Sequence, residues 1–265
     1  MWTRPLLKSN AKRTLKLRYW KCFLACLIAA LLGALVTVTN TAGNAAVQVE
    51  ADRIPMHGGG YIHSNEGLAI FGLVGAVAVI MLLAVTAAAV CFGVFISSPI
   101  RVGLKRYMME SRYADSPLET LFSTFRGPSY MNVVKGMFAT NIRIFGWSLL
   151  CGIPGIWKQL QYSMVPYLLA ENPYMSPARA RELSAAMTEG EKMNIFVLGL
   201  SFIGWNIVAS MAGAMATFGL VPSAGMLFLN PYVEATYAEL YAALRAKAFS
   251  LGITGEEELA GFVRH

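Results

Sequence analysis

The sequence is short of charge. Only 14% of its 265 residues are Asp, Glu, Lys or Arg, while 56% are hydrophobic; soluble domains carry roughly 25% charged residues. The stretch 68–98 has none at all. An ordinary soluble domain is excluded, and little chain is left for a sizeable extramembrane one. Cysteine is also scarce. Cys22, Cys26, Cys91 and Cys151 include no C-x-x-C pair, which excludes a zinc ribbon and a thioredoxin-like motif. Cys22 and Cys26, four apart, read as small packing residues, with acylation the alternative. His57 and His63 flank Gly58-Gly59-Gly60, a flexible arrangement that makes a poor metal site. These glycines fit neither a P-loop nor a dinucleotide fingerprint. The expectation is no catalytic residue, no cofactor and no metal.

What charge there is lies in two basic clusters. Arg4, Lys8, Lys12, Arg13, Lys16, Arg18 and Lys21 precede residue 22 with no acid among them. Arg101, Lys105, Arg106, Arg112, Arg126 and Lys135 form the second cluster. Both flank apolar runs, as positive-inside signals do. The net charge of +7 therefore points to anionic lipid at the cytoplasmic face rather than to nucleic acid.

Hydropathy predicts an all-α membrane bundle of about six spans with a short interfacial helix. The spans fall at about 22–39, 68–98, 137–152, 155–170, 193–213 and 223–246. A basic segment 1–21 and a tail 251–265, both cytoplasmic, enclose a single membrane domain. The 18-residue run from Cys22 to Thr39 reads as a retained helix, because it exceeds a signal-peptide core. Residues 101–126 are amphipathic and read as a segment on the membrane surface. The long run 137–170 is broken at Pro154 and Gly155, since proline lacks an amide donor and glycine bends freely. It makes two short spans or a re-entrant hairpin. Pro222 marks a further break. Ser176 and Pro177 predict an N-cap and first turn for a helix over 177–188, and the acidic tail reads as solvated.

Charges within spans are costly and mark candidate sites. Arg143 lies ~10 Å from the cytoplasmic side, and Glu234 about 12 Å, at 1.5 Å rise per residue. The equal depths predict an Arg143–Glu234 ion pair. Asn141, Asn206, Asn230 and Gln161 extend this candidate intramembrane polar site, with Glu239 near it. Such a pair acts as a register clasp or as part of a polar pathway.

Residues 153–205 carry a family pattern: Ile153-Pro154-Gly155-Ile156, Tyr162-Ser163-Met164, Pro166-Tyr167, Asn172-Pro173 and Ser201-Phe202-Ile203-Gly204-Trp205, followed by Pro231-Tyr232 and Tyr241. Over about 140–245 the chain resembles an uncharacterised family of bacterial multi-pass membrane proteins, a domain of unknown function. Members often have histidine before the lysine at 192, where this chain has Glu191. The resemblance implies a bundle fold in the bacterial plasma membrane and brings no activity.

Three functional classes follow. The first is transport of a small solute or lipid through a polar bundle interior. The second is a scaffold or assembly factor, with a membrane-protein partner or a second copy of itself. The third is a lipid-modifying enzyme.

Overall fold

A computed structural model describes residues 2–52, 65–150, 152–217 and 224–261. His57, His63, the glycine turn between them, Cys151, Pro222 and His265 lie outside the described residues. Among the described residues the chain is helical, without strands. The helices are α1 (Arg4–Asp52), α2 (Asn65–Phe92), α3 (Ser98–Glu110), α4 (Tyr130–Leu150), α5 (Gly152–Gln161), α6 (Val165–Glu171), α7 (Pro177–Met187), α8 (Lys192–Ala216) and α9 (Ala224–Ser250). A π-helical turn, Gly93–Ser97, precedes α3, and a 3₁₀ segment, Leu118–Phe125, follows it.

The chain divides into two compact units, one of Met1–Ala30 with Ser98–His265 and one of Leu31–Ser97. In the second unit, α2 leaves Leu73, Val77, Val79, Ile80, Met81, Leu83 and Val90 exposed. A continuous apolar surface of this kind marks contact with lipid or with another protein.

The core of the first unit gathers α3, the 3₁₀ segment, α6, α7 and α9. Tyr107, Met108, Leu121, Met164, Leu168, Leu169, Leu183, Met187, Tyr241 and Leu244 are all fully buried there. Each such side chain contributes about 1.5–3 kcal/mol by leaving water. Helix α3 packs on the 3₁₀ segment, α6, α9 and α4, while α7 packs on α4, α6 and α9. The α3 approach is close because residue 103 is glycine: a Cβ there would stand 2.0 Å from the Leu121 carbonyl oxygen. Helices α8 and α9 meet through a second such glycine, Gly225, whose Cβ would lie 1.8 Å from the Ala209 carbonyl oxygen.

The basic N-terminal segment is folded. Residues 4–17 form an amphipathic helix with Leu7, Ala11 and Leu15 buried, and the helix breaks at Arg18 (φ −134°, ψ 16°). Lys8 stands over the Phe202 ring at 4.6 Å and Lys12 over Tyr232 at 5.9 Å. Cys22 and Cys26 are buried, which favours packing over acylation.

Helix α7 begins with the Ser176 hydroxyl accepting from the Arg179 amide at 3.2 Å, with Pro177 in the first turn. Gly190 beyond its end has φ +75°. Helix α4 ends at Leu150 and α5 begins at Gly152, two residues ahead of Pro154. Proline needs no donor in a first turn, so Pro154 opens α5 rather than breaking a helix. Gly155 lets α5 rest on α4, since a Cβ would lie 2.3 Å from the Ser148 hydroxyl.

The tail departs from expectation. Leu259 is fully buried, and Arg179 grips Glu258 through Nε and Nη2 at 2.7 and 2.9 Å. The acid that makes this segment look solvated is the group that docks it.

Among the described residues two segments are long and apolar enough to cross a membrane, Gly75–Glu110 and Lys192–Ala216. Only 6% and 17% of their apolar windows are buried, unlike the core helix of a soluble protein. Three of the other expected spans, 137–152, 155–170 and 223–246, are interrupted by charge among the described residues. Helix α4 holds Arg143, α5 is ten residues long with Lys158, and α9 carries Glu234 and Glu239.

Candidate functional site

Helix spacing sets Glu234, Ala238, Tyr241 and Arg245 on one stripe of α9, at steps of four, three and four residues. This stripe faces α3 and α6, and its polar members meet polar partners there. Lys105 on α3 forms an ion pair with Glu234, both largely covered. The Lys105 ammonium lies 5.1 Å from the centre of the Tyr167 ring. Tyr167 in turn stacks on Tyr241, with ring centres 5.2 Å apart and planes 15° from parallel. The Tyr241 hydroxyl donates to Glu171 Oε2 at 2.6 Å. Glu171 is 1% exposed, and its other oxygen accepts from Arg245 Nε and the Gly261 amide, each at 2.9 Å. A buried carboxylate is tolerable only with such a full set of donors.

Glu239 leans to the side of this stripe and takes a fork from Arg112, through Nε at 2.7 Å and Nη2 at 3.0 Å. Such two-point pairing fixes geometry as well as charge. At this end the seam opens into a cleft of about 1460 Å³, lined among others by Arg106, Arg112, Glu171, Tyr241, Arg245 and Glu256. The polar side chains thus run from an open cleft along α9 to Glu234. Among the described residues no group of three metal-ligating side chains forms.

The expected Arg143–Glu234 pair does not form: Glu234 has Lys105 as its partner. Equal depth is no proof of contact, and α3 rather than α4 supplies the base. Arg143 is exposed on α4 and stands close enough to Arg181 on α7 for its charge to act there. Gln161 joins that neighbourhood, accepting from Lys158 Nζ at 3.0 Å through its side chain and from the Ser184 hydroxyl at 2.8 Å through its carbonyl. Asn141 is exposed on α4, while Asn206 and Asn230 are half-buried on α8 and α9. Among the described residues no hydrogen bond links these three to Arg143 or Glu234. Arg143 and Gln161 thus share one neighbourhood, while Glu234 is paired in another.

Lys105, Arg112 and Glu171 escaped the sequence reading because they lie outside the apolar runs, and Arg245 because it falls at the end of one; all look like ordinary surface charge. The stripe on α9 was the available signal, since it aligns an acid, a tyrosine and an arginine within three turns.

The chain matches the family described as Protein of unknown function (DUF975) over residues 77–248, well over half its length. This range includes the stretch that carries the sequence resemblance. No curated protein and no solved structure matches it.

Proposed function

The chain belongs to the DUF975 family of proteins of unknown function, and on that footing we propose that it is a multi-pass integral membrane protein carrying a small charged solute or lipid. The observation behind this reading is the polar seam of α9, which links an open cleft to Glu234 between helices with apolar outer faces. Helix α8 supplies one such face: Met193, Leu200, Ile203, Trp205, Ile207, Val208, Met211 and Met215 are exposed, as lipid contact requires. In this reading about six segments span the bacterial plasma membrane, both termini are cytoplasmic, and the cleft opens to the cytoplasm. A charged group at membrane depth is costly and is kept where it pairs or serves a pathway. Exchange of partners along Glu234, Lys105, Tyr167 and Glu171 would let a charged solute replace one member of a pair at a time.

The test is charge movement in proteoliposomes on a solid support, after jumps of pH or of zwitterionic amino acids. The carrier reading expects a transient current that Glu234→Gln removes while the protein still reconstitutes. Silence under every jump counts against it.

A scaffold is the second reading, and one observation favours it: Glu234, Glu239 and Glu171 each already have a basic partner. A structural clasp needs nothing more. Joint replacement of Lys105 and Glu234 by methionine separates the two readings, because a scaffold keeps its membrane-protein partner through that change.

A further inference from the structure

Arg181 sits on the inner side of α7 with 8% of its surface exposed. Its Nε and Nη1 are buried and meet no hydrogen-bond acceptor. A buried guanidinium without an acceptor is among the costliest groups a fold can hold. The other buried charges of this unit are answered by named partners, as Glu171 is by Arg245 and Glu239 by Arg112. Arg181 is answered by more positive charge. Its burial, and then the like charge of Arg143, lower its pKa from the ordinary arginine value. Glu182 next to it is exposed and makes no ion pair with it.

A third cation stands by the same face of α7: Lys158 Nζ donates to Gln161 Oε1, and the Gln161 carbonyl accepts from the Ser184 hydroxyl. Lys158 Nζ lies 5.8 Å from the centre of the Tyr162 ring and 5.5 Å from that of Trp147. Tyr162 precedes Met164, whose amide donates to Ser184 one turn beyond Arg181 on α7. Among the described residues, no carboxylate pairs with Arg143, Lys158 or Arg181. Around them α4 and α5 expose Phe145, Trp147, Leu149, Ile153 and Trp157. Cations backed by tryptophan and tyrosine at the edge of an apolar face match the chemistry of the headgroup level of a bilayer.

We propose that Arg181, Arg143 and Lys158 form a site for a phosphate-type oxyanion, supplied by an anionic lipid headgroup or by free phosphate. A phosphate offers several acceptor oxygens at once, so it can take the buried fork of Arg181 on one side and Arg143 on the other. The site is separate from the α9 seam and does not depend on the carrier reading.

The test uses the full chain in a neutral detergent, with thermal unfolding as readout. Three additions are compared at matched ionic strength: inorganic phosphate, phosphatidylglycerol and phosphatidylcholine. The expected result is a rise in unfolding midpoint with phosphate or phosphatidylglycerol and none with phosphatidylcholine. A rise with phosphate alone assigns the site to free phosphate; a rise with phosphatidylglycerol only assigns it to lipid. Arg181→Met should abolish the rise and leave the anion-free midpoint at or above wild type, because an unanswered buried charge has gone. Retained phosphatidylglycerol, counted by native mass spectrometry, should fall about tenfold or more with the charge-assisted bonds. Arg143→Gln, at an exposed position, should weaken the effect even if Arg181→Met does not fold. No rise with either anion overturns the proposal, and so does an undiminished rise in both variants.

Discussion

Lys105 of α3 and Glu234 of α9 are each other's ion-pair partners, and 129 residues of chain separate them. Their side chains are 18% and 24% exposed, so each single change strands the other charge under partial cover. Lys105→Met or Glu234→Gln should destabilise by about 1–3 kcal/mol, below the full cost for a wholly buried pair. The double methionine variant should recover much of that loss. Chemical unfolding of the four forms in detergent measures the coupling, and strict additivity would mean the two charges are independent.

Gly103 is the point where α3 meets the 3₁₀ segment, and its missing side chain is the reason they meet so closely. Backbone occupies the space a Cβ would need, 2.0 Å from the Leu121 carbonyl oxygen. Gly103→Ala should therefore lower stability by about 1–3 kcal/mol through overpacking. Gly204→Ala on α8 is the control, because nothing lies within 4 Å of its added Cβ. A thermal melt in which both behave alike would contradict the close approach at Gly103.

The helical class, the cap at Ser176 and the apolar runs of α2 and α8 were legible because they are local. Capping needs only Ser176, Pro177 and the amide of Arg179, all within four residues. The partners of Glu234 and Glu171 were not legible, because pairing is decided by which helices pack together. Lys105 sits in a basic cluster that reads as a topology signal, and nothing in its neighbours distinguishes it from Arg101. The docked tail was hidden for a similar reason. Its acids suggest solvation until Arg179, 79 residues away, is found opposite Glu258.

That tail contact carries a pH dependence. The hydrogen bond from Arg179 holds the Glu258 pKa below the ordinary glutamate value. A carboxyl whose folded pKa is depressed stabilises fully above its unfolded pKa of about 4.3. The contribution is lost as pH falls through the lower folded value. Amide protection across Ile253–Leu259, taken against the intrinsic rate at each pH, should thus stay high at neutral pH and fall on acidification below about 4. Glu258→Gln should show the low protection already at neutral pH and converge with wild type on acidification. An exchange profile that ignores both pH and the substitution would mean the contact does not hold the tail.

Glu171 gathers more than any other acid of the seam, since the Tyr241 hydroxyl, Arg245 Nε and the Gly261 amide all donate to it. Arg245 then reaches onward, giving Nη2 to the Leu259 carbonyl at 2.6 Å. One buried carboxylate therefore ties α6, α9 and the tail together at the wall of the cleft. Tyr241→Phe removes a single neutral donor and should cost about 1 kcal/mol, while its ring keeps the stack on Tyr167. Glu171→Ala removes the shared acceptor and leaves Arg245 Nε and the Gly261 amide unanswered, so about 2–4 kcal/mol is expected. Stability and amide exchange, measured together, separate the two effects. Tyr241→Phe should leave the tail protected, whereas Glu171→Ala should expose the Leu259–Gly261 amides before the helices melt. Equal losses in the two variants would mean that the tyrosine bond, rather than the shared carboxylate, closes this corner.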